Sequence, residues 1–247
     1  MISKSQISFI KSLQQKKIRK ANGLFIVEGL KSVSEFINSD YTIDTIYYTE
    51  NVMPKLGNLS QNIKSIEISV SDLTKISALT SPQQVLAIVK IPKHRDLTKQ
   101  MLKGSFTIAI DGIQDPGNFG TIIRTADWFG VNHLVCSEDT VDVYNPKVVQ
   151  ATMGSLSRIY VAYFDLHEFL DDPGVPVFGA LLEGKSIYET NFGNEGILIL
   201  GNEGNGIRPQ IISKIQFPIT IPRFGEAESL NVAVSASIFC SEIRRNS

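Results

Sequence analysis

Three stretches of the chain place polar and small residues directly after apolar runs, in patterns that could do chemistry. In "DGIQDPGNFGTIIRTADWFG" (111–130) a strand ends at Asp111, a Pro-Gly turn follows, and Asn118 is placed to cap a helix beginning at Phe119. Gly130 closes that helix. Phe119, Ile122, Ile123 and Ala126 form its core stripe, and Thr121, Arg124, Thr125 and Trp128 form a second row. Arg124 is therefore held off the core face, one and a half turns past the capped, glycine-rich N-terminus; the same spacing also suits an ordinary solvated arginine. In "ILILGNEGNGIR" (197–208) four apolar residues run into glycines at 201, 204 and 206. That spacing is neither the G-x-G-x-x-G of a dinucleotide site nor the G-x-x-x-x-G-K-[ST] of a phosphate loop. In "IPRFGEAESLNVAVSASIFCSEIRR" (221–245) a strand ends at Pro222, a polar loop carries Glu226, Glu228 and Ser229, and a helix starts near Leu230. Each loop lies at the carboxyl end of a strand, where open α/β sheets bind ligands. Taken singly, each is also compatible with turn chemistry alone.

The elements that must position these loops are legible from periodicity. Apolar strands are expected at 106–111, 133–137, 175–181, 196–200 and 217–222, with helices at 119–129, about 145–153, 208–215 and 230–245. Continuous apolar strands alternating with helices imply a parallel sheet covered on both faces. The first part of the chain reads as a smaller α/β unit. A helix is expected over 3–20, a strand at 23–29, a helix at 30–39 and strands at 43–49, 65–69 and 85–91. A short helix at 71–79 has Ser71 as its N-cap. The polar, basic stretch 92–104 is a linker. The domains are thus expected at 1–91 and 105–247.

With 43% hydrophobic and 20% charged residues among 247, the chain can bury a real core. No apolar run approaches the roughly 18 residues of a membrane span, and the N-terminus has no apolar signal region. Cys136 and Cys240 form no C-x-x-C and read as buried reduced thiols of a cytoplasmic protein. His94, His133 and His167 are scattered, so no metal is expected. The formal net charge of −1 is unevenly spread. Residues 1–31 carry Lys4, Lys11, Lys16, Lys17, Arg19, Lys20 and Lys31 against Glu28 alone, and Lys90, Lys93, Arg95, Lys99 and Lys103 face only Asp96. Such asymmetry fits a basic surface for phosphates, and equally a solvated helix face.

Together the three stretches resemble the SpoU (TrmH) family of RNA ribose 2′-O-methyltransferases, within the SPOUT superfamily. The motif N-x-G-x-x-x-R-x-A matches Asn118, Gly120, Arg124 and Ala126; a strand followed by G-x-E-G-x-G matches Gly201, Glu203, Gly204 and Gly206; I-P then S-L-N-V-A matches Ile221, Pro222, Ser229, Leu230, Asn231, Val232 and Ala233. "YNPKVVQATMGSLSR" (144–158) is also similar to the family. The match covers 106–247 closely. More loosely, the first 90 residues resemble the ribosomal-protein-like substrate-binding domain often fused ahead of it.

The resemblance implies an α/β fold whose C-terminal SPOUT-type domain ends in a deep trefoil knot, an exception to the rule of unknotted chains. It implies S-adenosyl-L-methionine as cofactor, held bent and largely through backbone groups by Ala180, Leu181, Gly201, Asn202, Glu203, Gly204, Ile221, Pro222 and Leu230. It assigns Arg124 to activation of a ribose 2′-hydroxyl, with Asn118, Glu203, Ser229 and Asn231 completing the catalytic set. A guanidinium is a poor proton acceptor at neutral pH. Arg124 therefore acts either as a base when buried against the cofactor's positive charge, or by orienting the hydroxyl while phosphate or water takes the proton. Lys11, Lys16, Lys17, Arg19, Lys20 and Arg124 would contact RNA, and the enzyme would be a cytoplasmic homodimer. The added domain favours 23S ribosomal RNA as substrate, with transfer RNA as the alternative. Two other classes compete. A non-catalytic RNA-binding or ribosome-assembly protein of this fold would have lost matched positions, yet all are intact. A Rossmann-like small-molecule enzyme would show a glycine fingerprint after the strand at 106–111, which is missing.

Overall fold

The computed structural model describes residues 2–57, 59, 62–93 and 97–245. The chain forms two compact units, one built from Met1–Lys93 with Asp142–Ser157 and the other from His94–Val141 with Arg158–Ser247. Arg95 and Asp96 of the expected linker, and His94, lie outside the described residues.

The first unit is a four-stranded sheet of order β1 (Leu24–Glu28), β4 (Val85–Lys90), β2 (Ile43–Tyr48), β3 (Lys64–Glu67). β4 runs antiparallel to both its neighbours, and β2 and β3 are parallel. Ile10, Leu13, Ile26, Leu73, Ile76, Leu86 and Ile88 form a core shared by the sheet, α1 (Lys4–Ser12) and α4 (Val70–Ile76). Phe25 gathers Phe36 of α3 (Leu30–Ile37), Tyr41 and Tyr144 into an aromatic cluster. Tyr144 belongs to segment 142–157, which carries α7 (Pro146–Ala151).

The single helix expected over 3–20 is two. α1 ends at Ser12, Gln15 is extended, and α2 (Lys16–Asn22) begins anew, ending at Gly23 with φ +62°. Carbonyls at such a break need donors, and Arg19 supplies them: its Nη1 donates to Leu13 O at 3.0 Å and Gln14 O at 2.8 Å. Its Nε donates to Asp142 at 3.1 Å, and its Nη2 pairs with the same carboxylate. Only 2% exposed, Arg19 is spent on holding this fold, so its guanidinium is buried and partnered where a surface contact to RNA was expected. Lys11, Lys16, Lys17 and Lys20 are exposed, as expected. The α4 cap is Ser69, whose Oγ accepts the Asp72 N–H, and not Ser71.

The second unit is a six-stranded, wholly parallel sheet of order β10 (Phe217–Thr220), β8 (Val177–Ser186), β9 (Gly196–Leu200), β5 (Phe106–Ile110), β6 (His133–Ser137), β7 (Tyr160–Phe164). β5 and β9 are buried throughout, as continuous apolar runs require. β7 was not expected: it is an edge strand whose residues are mostly half-buried, so it shows no clean apolar run. The helices are α5 (Lys99–Leu102), α6 (Pro116–Trp128), α8 (Leu166–Phe169), α9 (Pro209–Ile212) and α10 (Val232–Arg245), and α6 packs against α10.

Candidate active site

α6 starts three residues earlier than its apolar pattern indicates. Pro116 occupies the first turn, where its missing N–H costs nothing, and the cap is Asp115, whose Oδ1 accepts the Asn118 N–H at 2.7 Å. Asn118 is thus released from capping. Phe119, Ile122, Ile123 and Ala126 are fully buried, as the core stripe required. Thr121, Arg124 and Trp128 face outward, but Thr125 is buried, with its hydroxyl 3.1 Å from that of Ser237 on α10. Gly130 closes the helix at φ +66°.

The freed Asn118 joins the three loops. Its Nδ2 donates to Glu203 Oε1 at 3.1 Å, and its Oδ1 accepts from Asn231 Nδ2 at 2.9 Å. Asn231 is at once the cap of α10: its Oδ1 accepts the N–H groups of Ala233 at 2.9 Å and Val234 at 3.3 Å. The Glu203 carboxylate also accepts the backbone N–H groups of Gln114 at 3.4 Å and Asp115 at 3.3 Å, and Asn202 Nδ2 at 3.4 Å. Through these bonds Glu203 ties the glycine loop to the start of α6.

The glycine loop after β9 folds on itself. Asn202 and Gly206 exchange backbone hydrogen bonds of 2.9 and 3.0 Å, and Asn202 Oδ1 accepts the N–H groups of Gly204 at 2.9 Å and Asn205 at 3.1 Å. A Cβ at Gly201 would strike the backbone of Gly206 and Ile207, so glycine there is set by the loop's own closure. Gly201 and Asn202 are half-buried, Glu203 and Gly204 exposed. One strand over, Pro218 pairs with Gly179 and Ile219 with Lys185. The slip leaves 180–184 arched out of the pairing, with Ala180 and Leu181 half-buried in the arch. Ile221 and Pro222 are half-buried after β10, and Ser229, Leu230 and Asn231 are exposed. The structure therefore brings Asn118, Glu203 and Asn231 into one network. It places Arg124 one turn and a half further along α6, with no hydrogen bond joining it to that network. Ser229 is likewise not joined to it by a hydrogen bond.

The loops suit a nucleoside cofactor held by peptide groups: they are small-residue turns at adjacent strand ends, with space open at Gly206 and a backbone closed tightly at Gly201. Among the described residues, no group of three or more His, Cys, Asp or Glu is placed to hold a metal ion. Nor is any helix long and apolar enough to cross a membrane. Two residues of this region carried no functional expectation from sequence. Asp111, at the buried end of β5, pairs with Arg208, which follows the glycine loop. A carboxylate directly after the apolar run "FTIAI" was the available signal, because a buried charge demands a partner.

Residues 105–241 match the SpoU rRNA Methylase family, and residues 4–87 match the MRM3-like substrate binding domain. The chain is 32% identical to the 23S rRNA (guanosine(2553)-2′-O)-methyltransferase RlmP of Bacillus subtilis, over 95% of this chain and 94% of that protein. A TrmH-family structure from Porphyromonas gingivalis aligns over the whole of both chains with a TM-score of 0.91 and 39% identity. An AdoMet-bound rRNA methyltransferase structure from Sinorhizobium meliloti aligns over 99% of this chain and 97% of its own, with a TM-score of 0.85 and 29% identity. Matched by its family over more than half its length and by relatives end to end, the chain belongs to the SpoU rRNA methylase family.

Proposed function

We propose that this chain methylates a ribose 2′-hydroxyl of 23S ribosomal RNA, using S-adenosylmethionine. The observation that carries the reading is the hydrogen-bonded series Asn231–Asn118–Glu203, which joins all three motif stretches at the first turn of the helix bearing Arg124. The loops at 180–184, 201–206 and 221–230 would hold the cofactor, which supplies an electrophilic methyl on a sulfonium centre. The chain's own work is alignment, worth roughly 7–11 kcal/mol when reacting groups are held in line. Asn118, Glu203 and Asn231 fix the loops relative to α6. Arg124, exposed and without a partner among the described residues, is available to orient the 2′-hydroxyl and an adjacent phosphate, and Ser229 lines the loop entering α10.

Residues 1–91 would recognise the RNA, with Lys11, Lys16, Lys17 and Lys20 on the exposed sides of α1 and α2 contacting phosphates, which position without reading sequence. Residues 92–104 would link them to the methyltransferase domain, 105–247, with its C-terminal end knotted. A cytoplasmic homodimer completes the reading: Trp128 is 84% exposed on α6 and Val234 is exposed on the adjoining α10, an apolar surface suited to a second copy. Mapping 2′-O-methyl groups on total RNA from cells with and without this gene tests the proposal. One mark in 23S rRNA that disappears with the gene is expected; a map unchanged throughout rRNA would refute it.

A further inference from the structure

We infer that Asp111 and Arg208 form a latch that presets the glycine loop for the cofactor, making Arg208 a positioning residue for methyl transfer; the inference rests on the reading that residues 201–206 hold S-adenosylmethionine. Asp111 directly follows β5 and is completely buried. A carboxylate taken out of water is costly unless its oxygens are satisfied. Arg208 satisfies both: its backbone N–H donates to Oδ2 at 2.8 Å, its Nε donates to Oδ1 at 2.7 Å, and Nη2 completes the ion pair. Because one residue gives main-chain and side-chain donors to one carboxylate, the backbone path where the loop enters α9 is fixed together with the side chain. Asp139, at the rim, adds a weaker contact to Nη2 at 3.5 Å.

The other end of the loop is pinned next door. Asn202 Nδ2 donates to Gly112 O at 2.7 Å. Consecutive residues 111 and 112 thus hold both ends of 202–208, and the same chain runs on into Gln114 and Asp115, whose N–H groups hold Glu203. The strand that delivers α6 and Arg124 is therefore also the anchor of the cofactor loop. Breaking the latch leaves α6 in place but lets the loop sample other conformations, so the cost falls on cofactor binding.

The test is calorimetric titration of the full-length chain with S-adenosylmethionine, beside steady-state kinetics. Arg208→Met is expected to raise the cofactor Kd and KM at least tenfold while the KM for RNA changes less than twofold, and Arg208→Lys is expected to recover part of the loss. A folded Arg208→Met protein that binds the cofactor like the unaltered chain would overturn the latch. An unaltered chain that binds no S-adenosylmethionine would instead overturn the reading of the loop. Should Arg208→Met fail to fold, hydrogen exchange on the unaltered chain without cofactor decides: slow exchange of the Asn202, Gly206 and Arg208 amides is expected, and exchange at the unprotected rate contradicts a preset loop.

Discussion

Asn231 donates from Nδ2 to Oδ1 of Asn118 at 2.9 Å, so the residue that caps α10 also fixes the residue that reaches Glu203. Two side chains 113 positions apart in sequence hold the ends of three loops in one arrangement. Removing either should lower turnover more than stability. Asn118→Ala and Asn231→Ala are each expected to reduce kcat by about 10- to 100-fold, the scale of one or two lost hydrogen bonds of about 1–3 kcal/mol. Their double mutant should be less than additive by about 0.5–3 kcal/mol, as for residues in contact. A strictly additive double mutant would uncouple them.

Arg124 is exposed on α6, and its replacement should leave the fold intact. Arg124→Lys is expected to keep its unfolding free energy within about 0.5 kcal/mol, as surface substitutions do. Its methyl transfer should fall at least about 100-fold, the scale of a reacting group displaced by about 1 Å. Rate assays paired with thermal melts check both, and near-normal turnover would remove Arg124 from the chemistry.

The basic residues of the first unit should separate into two kinds. Arg19→Met removes the partner of the Asp142 carboxylate and of the Leu13 and Gln14 carbonyls, and is expected to destabilise by about 3–5 kcal/mol, as breaking a buried pair does. Lys16→Gln with Lys17→Gln should leave melting unchanged, weaken RNA binding and shallow its salt dependence by up to about 0.9 per lost phosphate contact on a duplex. Denaturant melts and binding isotherms at several salt concentrations distinguish them.

Burial lowers the His133 imidazole below its ordinary value of 6.5, so the folded chain favours the neutral ring. A base depressed on folding contributes stability that is full above the unfolded value and is lost as pH falls through and below it. Melting temperature is expected to decline on acidification from pH 7 to pH 5. His133→Phe, which retains an aromatic edge toward Tyr160, should remove part of that slope; an unchanged slope would assign the decline to other groups.

Much of this was legible from pattern. The apolar runs that became β5, β6 and β9 located a parallel sheet, and the polar and small-residue stretches after strands located the loops that Asn118, Glu203 and Asn231 join. What escaped were long-range choices between local options. Asn118 and Asp115 are both good caps, and Pro116 decided for Asp115 by favouring an earlier start. The periodicity of residues 3–20 continues through the break at Leu13 because Ile10, Leu13 and Arg19 all point inward. No local rule shows that Arg19 will meet Asp142, more than a hundred residues away. Arg208 follows a turn, as many surface charges do, and only the fold brings the buried Asp111 carboxylate against it.

The central claim is that the three joined loops and Arg124 methylate a ribose oxygen of 23S rRNA. Its most direct measurement is transfer from methyl-deuterated S-adenosylmethionine, by the purified full-length chain, to 23S rRNA from cells lacking the gene, read by mass spectrometry of nucleosides. The account predicts one deuterated 2′-O-methyl nucleoside, lost with Arg124→Lys and diminished with Asn118→Ala. Label on a base, or none on 23S rRNA with the active unaltered chain, would contradict it.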